Sequence, residues 1–182
     1  DVNIREDVQM TEINSNDNAQ NNFTEGMREF AKNRFNESIE LLTRAINADA
    51  NHTLAVVSRG AAYLKLDMLD LARDDFDHAV KIDPDYARAY HMRGLVSEKR
   101  GDDHTALADF DRAIDLNPEY GAAYYSRAAL HAKMANSEKA QEDIEMVAHL
   151  GNRNMESFMN DNNVWQTQHM RVEDVIGTEL ER

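Results

Sequence analysis

The sequence predicts an all-α chain, a solenoid of stacked helix–turn–helix units closed by a C-terminal capping helix. Three observations predict it. Identities recur at one step of 34 residues: Gly60 and Gly94, Ala72 and Ala106, Phe76 and Phe110, Ala79 and Ala113, Pro84 and Pro118. A sustained period of that length marks arrays of paired helices. Within 69–80, Leu69, Ala72, Phe76, Ala79 and Val80 fall on one stripe at helical spacing. Only two prolines and seven glycines punctuate 182 residues, so little interrupts helices. Unrelated amphipathic helices would not reproduce the same residue types at one fixed step.

In chain order, residues 1–18 are rich in Asn, Asp and Glu, with Val2, Ile4, Val8, Met10 and Ile13 as thin apolar content. They read as a polar leader, either flexible or docking on a partner or on the solenoid itself. Four repeats follow, at 19–52, 53–86, 87–120 and 121–154. Their eighth positions hold Gly26, Gly60, Gly94 and Ala128, and their twenty-fourth hold Leu42, Phe76, Phe110 and Ile144. Small residues there and at positions 20 and 27 let two antiparallel helices approach, and the bulky residue at 24 fills the gap. Asn33, Asp67, Gly101 and Ala135 take the turn between paired helices; the first three are turn formers. Asp83-Pro84 and Asn117-Pro118 end second helices. Arg59, Arg93 and Arg127 recur sixteen residues before Asp75, Asp109 and Asp143, which predicts three equivalent bidentate pairs across paired helices. Residues 155–182 are read as the capping helix and tail. Met155, Phe158 and Met159 begin that cap; the tail adds Trp165 and a face of Val172, Val175, Ile176 and Leu180, weakened by Gly177. This tail would cap the array or occupy a groove in another copy.

On these residues the chain resembles the tetratricopeptide repeat family over about three quarters of its length, closely in the second and third repeats. Repeats one and four lack the closing proline, and repeat four has lost its glycine, as terminal repeats commonly do. The resemblance implies a right-handed superhelix whose concave surface is lined from positions 2, 5, 6, 9, 12 and 13. Those positions supply a partner-binding groove of Phe23, Met27, Phe30, Val57, Leu64, Arg88, His91, Leu95 and Tyr125. Some of these, the alanines at position 9 and 12 above all, would instead pack between repeats. Lys65, Lys99 and Lys133 recur at position 13, either flanking an acidic ligand or simply solvated. One subtype of the family captures the C-terminal carboxylate of chaperones through a Lys/Asn/Arg clamp. The corresponding positions here hold Phe23, Met27, Ser58, Arg88 and Met92, of which only Arg88 fits, and the alternative register beginning at Val57 and Ala61 fits nowhere. Capture of that kind is not expected.

Thirty-four acidic against twenty basic residues give a formal net charge of −14, which disfavours nucleic acid and anionic membrane as partners. No long apolar run suggests membrane insertion. Cysteine is absent, which excludes disulfides and thiol chemistry. Seven scattered histidines form no zinc spacing, and Asp74, Asp75, Asp77 and His78 read as a helix face rather than a calcium loop. No phosphate loop or nucleophile motif is present, so no enzyme activity, metal or cofactor is expected. The chain begins at Asp1, so a targeting segment removed by processing is compatible with it; the compartment stays open, with a slight preference for the cytoplasm. The expected function is binding a protein or peptide segment with apolar anchors in the groove. The alternative is a self-assembling scaffold, a homo-oligomer joined through flanks or end helices.

Overall fold

The computed structural model describes residues 18–161, with side chains through Arg153. It holds eight helices and no strand among the described residues: α1 (18–31), α2 (Phe35–Ala48), α3 (Thr53–Lys65), α4 (Leu69–Ile82), α5 (Ala87–Lys99), α6 (Asp103–Leu116), α7 (Gly121–Lys133) and α8 (Ser137–Asp161). Each helix from α2 onward packs on its chain neighbours, and α3 touches α5 as α5 touches α7. The odd-numbered helices therefore form one layer and the even-numbered helices the other.

The turns inside the helix pairs repeat one backbone solution. Asn33, Asp67, Gly101 and Ala135 all have positive φ, at 59°, 59°, 80° and 61°. Each turn is closed by bonds to carbonyls of the preceding helix, such as Met68 N–H to Tyr63 and Asp102 N–H to Ser97. These satisfy carbonyls that a helix end would otherwise leave unpaired. Asn, Asp and Gly visit the left-handed region at low cost; Ala135 does not.

The second helix of the first three pairs stops where a side chain caps the chain. Asp49, Asp83 and Asn117 are extended residues whose side-chain oxygens accept from Asn51, Asp85 and Glu119 N–H at 3.0–3.1 Å. Asp49 does this without a following proline. The equivalent site in α8 is Gly151, followed by Asn152, and the helix runs through both to Asp161. Residues 155–161, expected to begin a separate cap, are thus the distal turns of α8. A glycine has no oxygen to end the helix there, and no proline follows. The rest of the expected cap, including Trp165, and the leader at 1–17 lie outside the described residues.

The core sits between the two helices of each pair. Leu42, Phe76 and Phe110 are fully buried. A Cβ on Gly26 would stand 2.9 Å from Leu42 Cγ, on Gly60 2.7 Å from Phe76 Cε1, and on Gly94 2.6 Å from Phe110 Cε1. Glycine is required there because the bulky partner presses against the helix backbone. Ala72, Ala79, Ala106 and Ala113, all at zero exposure, allow the same close approach.

Candidate functional site

Helices α1, α3, α5 and α7 jointly shape a groove of about 870 Å³. Its apolar wall is Phe30 from α1, Ala61 and Leu64 from α3, and Met92 and Leu95 from α5. Its charged rim is Lys65, Arg88, Lys99 and Lys133, opposed by Glu98 alone. The helical period delivers this set: residues three or four apart share a face, so Ala61, Leu64 and Lys65 point one way on α3, and Arg88, Met92, Leu95 and Lys99 on α5.

Seven of the twelve sequence-proposed residues meet here: Phe30, Leu64, Lys65, Arg88, Leu95, Lys99 and Lys133. The other five lie elsewhere. Val57 is 2 % exposed and belongs to the inter-helix core. Phe23 packs against that same core, its ring 4.8 Å from His52. Met27 is half-buried on α1 and does not line the groove. Tyr125, highly exposed, borders a separate recess. His91 is buried, with Nδ1 3.0 Å from Tyr120 Oη and Nε2 2.9 Å from Ser126 Oγ. Position 5 is thus core in Val57 and His91, packed on the core in Phe23 and exposed in Tyr125. Burial, with the Arg88 cation adding to it, pushes the His91 pKa down to about 4 and keeps the imidazole neutral. Burial also pushes the Tyr120 phenol up.

Three groove residues were not among the candidates. Ala61 and Glu98 occupy positions 9 and 12, and Met92 occupies position 6, all of which the repeat register assigns to this surface. The register alone would have found them.

The rim cations differ in their partners. Lys99 Nζ is 3.0 Å from Asp67 Oδ1 and Lys133 Nζ 2.6 Å from Asp103 Oδ1. No ion pair holds Lys65 or Arg88 among the described residues.

A second recess, of about 320 Å³, lies between α7 and α8 and is lined by Tyr125, Ala128, Ala132, Ala140 and Ile144, among others. Ile144 is 42 % exposed, where its counterparts Phe76 and Phe110 are at zero. In the interior of the stack the following first helix covers that position. Among the described residues nothing covers it here. No group of three or more acidic or His side chains that could hold a metal occurs among the described residues, and no described helix is long and apolar enough to cross a membrane.

Comparison with known proteins agrees with this architecture. Family profiles described as tetratricopeptide repeat match residues 23–87 and 87–120. RNA polymerase II-associated protein 3 of Xenopus laevis is 31 % identical over 71 residues, covering 39 % of this chain and 11 % of that protein. Hsc70-interacting protein 1 of Drosophila melanogaster is 33 % identical over 73 residues, covering 40 % and 19 %. The chain thus matches less than a fifth of the length of either relative. Among solved structures, the crystal structure of MamA superposes with a TM-score of 0.68 at 21 % identity, over 76 % of this chain and 81 % of that one. The first TPR of Spaghetti (RPAP3), solved bound to the HSP90 peptide SRMEEVD, superposes with a TM-score of 0.63 at 23 % identity, over 66 % and 95 %. At those identities the likeness speaks for the fold. With the profiles spanning 23–120 and the same helix pairs repeating at 34 residues, the chain belongs to the tetratricopeptide repeat family.

Proposed function

We propose that this chain is a non-catalytic protein-interaction module that holds a peptide segment of a partner in the groove of α1, α3, α5 and α7. Family membership supports the interaction role, and so does the solved relative that carries a bound peptide. The observation that supports the groove is its lining: Phe30, Leu64, Met92 and Leu95, none fully buried, converge from three separate helices. An accessible apolar concavity rimmed by charge is the ordinary form of a binding site. A C-terminal carboxylate is not the proposed ligand. Phe23, Met27, Ser58 and Met92 stand at four of the five clamp positions and supply no cation to such a group. The test is capture of partners by wild-type chain and by Leu95→Glu, quantified by mass spectrometry. The reading expects a set of proteins lost from the variant while its helical content persists. Identical capture by both would contradict it.

A second reading has its own supporting observation. Tyr125 and Ile144 expose apolar surface at the C-terminal end of the described stack, where interior repeats are covered. A scaffold whose copies join through end helices would use this surface. Light scattering coupled to size exclusion distinguishes the two: a monomer at all concentrations disfavours the scaffold.

A further inference from the structure

The groove's cations carry the peptide-binding reading one step further, to the chemistry of the partner. The chain as a whole is strongly acidic, at −14. The groove inverts that sign, with Lys65, Arg88, Lys99 and Lys133 against Glu98. Two of these cations are already tied to the chain's own carboxylates, Lys99 to Asp67 and Lys133 to Asp103. Both lysines in these ties are exposed, where an ion pair is held weakly. Lys65 and Arg88 have no carboxylate within ion-pair distance among the described residues. In a chain with fourteen more acids than bases, two unmatched cations at the rim of an apolar groove point to a ligand that brings the carboxylates.

Their placement sets a spacing. Lys65 is the last residue of α3, as Lys99 is of α5, while Arg88 is the second residue of α5. Both helices have 13 residues and run in the same direction, because each is followed by one antiparallel helix before the next begins. Arg88 and Lys65 thus mark opposite ends of the groove. Eleven residues of helical rise separate their levels, about 16 Å. The neighbouring axes lie roughly 10 Å apart, so the cations stand about 19 Å from one another. An extended strand covers that distance in about six residues, at roughly 3.3 Å each. Between the two ends lie Leu64, Met92 and Leu95.

Resting on the groove reading above, we propose that the partner segment is extended and internal, with two acidic residues about six positions apart and an apolar residue between them. One carboxylate meets Arg88, the other meets Lys65, and the apolar side chain seats on Leu64, Met92 and Leu95. Glu98, the single acid of the lining, opposes this ligand and limits its affinity. The planar guanidinium of Arg88 takes a carboxylate through two parallel bonds, so it fixes orientation more strictly than the lysine does.

The test is selection of a phage-displayed library of random twelve-residue internal peptides on the full 182-residue chain. Selected sequences are then remade as N-acetylated, C-amidated peptides and titrated by fluorescence anisotropy. The expected sequences carry Asp or Glu five to seven positions apart around an apolar residue. Replacing both acids with glutamine, or Arg88→Glu in the protein, should weaken binding about tenfold. Changing the acid that faces Arg88 to lysine should restore part of the affinity to Arg88→Glu, which excludes mere unfolding. Glu98→Gln should tighten binding by two- to threefold. Peptides that are lost with Leu95→Glu but indifferent to their own acids would overturn the acidic pairing and leave the groove reading standing. Peptides indifferent to Leu95→Glu, or a selection that enriches nothing, would overturn both.

Discussion

Arg93 closes two parallel hydrogen bonds on Asp109, Nε to Oδ2 at 3.0 Å and Nη2 to Oδ1 at 2.7 Å, joining α5 to α6. Its remaining nitrogen, Nη1, reaches back 2.8 Å to Asp77 on α4. The same fork recurs in Arg127, to Asp143 on α8 and Asp111 on α6, and in Arg59, to Asp75 on α4 and Thr43 on α2. Each arginine therefore ties its own helix pair together and pins it to the pair before. Hydrogen bonding to the aspartates, outweighing burial, pushes all three guanidinium pKa values up. Asp75, Asp109 and Asp143 are nearly buried, so removing the arginine strands a carboxylate away from water. Arg93→Ala should cost about 2–4 kcal/mol by chemical denaturation. Asp77→Asn, at a partly exposed partner, should cost less than about 1 kcal/mol. Equal costs for the two would contradict the division of roles.

Of the glycines at position 8, Gly94 leaves the least room for a Cβ, against Phe110. Gly94→Ala forces a methyl to within 2.6 Å of Phe110 Cε1 and should destabilise by about 1–3 kcal/mol. Phe110→Ala should cost about 3–5 kcal/mol. The two sites are in contact, so Gly94→Ala with Phe110→Leu should cost less than the sum of the single changes. The chain already contains such a pair, Ala128 opposite Ile144. Additive costs would place the two residues out of contact.

Ala135 carries a φ of 61° on an exposed turn where Gly101 serves the equivalent role. Left-handed backbone costs an alanine about 1–2 kcal/mol, while glycine gives back part of that through the freedom of its unfolded chain. Ala135→Gly should therefore stabilise by about 0.5–1 kcal/mol, and Gly101→Ala should destabilise by a similar amount. A loss of stability on Ala135→Gly, read from the denaturation midpoint, would refute the strain.

Buried His91 makes the fold sensitive to acid. Its pKa falls from 6.5 to about 4 on folding, so the folded state favours the neutral ring. The stability that this confers is complete above pH 6.5, declines as pH falls, and is gone below about pH 4. The window corresponds to on the order of 3 kcal/mol. Unfolding free energies measured between pH 7 and 4 should fall more steeply for wild type than for His91→Gln. Parallel curves would mean that the ring is free to protonate in the folded chain.

The repeat register was the most legible part of this chain. Gly60, Phe76 and their counterparts at one step gave the helix pairs, and Arg59, Arg93 and Arg127 gave the forks. The third arm of each fork went unread, although Asp77 and Asp111 precede Arg93 and Arg127 by the same sixteen residues that separate those arginines from Asp109 and Asp143. What the register could not resolve was depth. Position 5 serves as core or end surface according to its neighbours: Val57 and His91 are buried, Phe23 packs on the core, and Tyr125 is exposed because no described helix follows α7 and α8 to cover it. Helix length in the last pair depended on the absence of a capping oxygen at Gly151, which a search for prolines alone passes over.

The most direct measurement of the central claim is a map of backbone amide shifts on binding a fragment of a captured partner. Binding in the groove predicts shifts concentrated at Leu64, Lys65, Arg88, Met92, Leu95 and Lys99, and their loss in Leu95→Glu. Shifts concentrated on α4 and α6, or around Tyr125 and Ile144, with the groove residues unmoved, would contradict it.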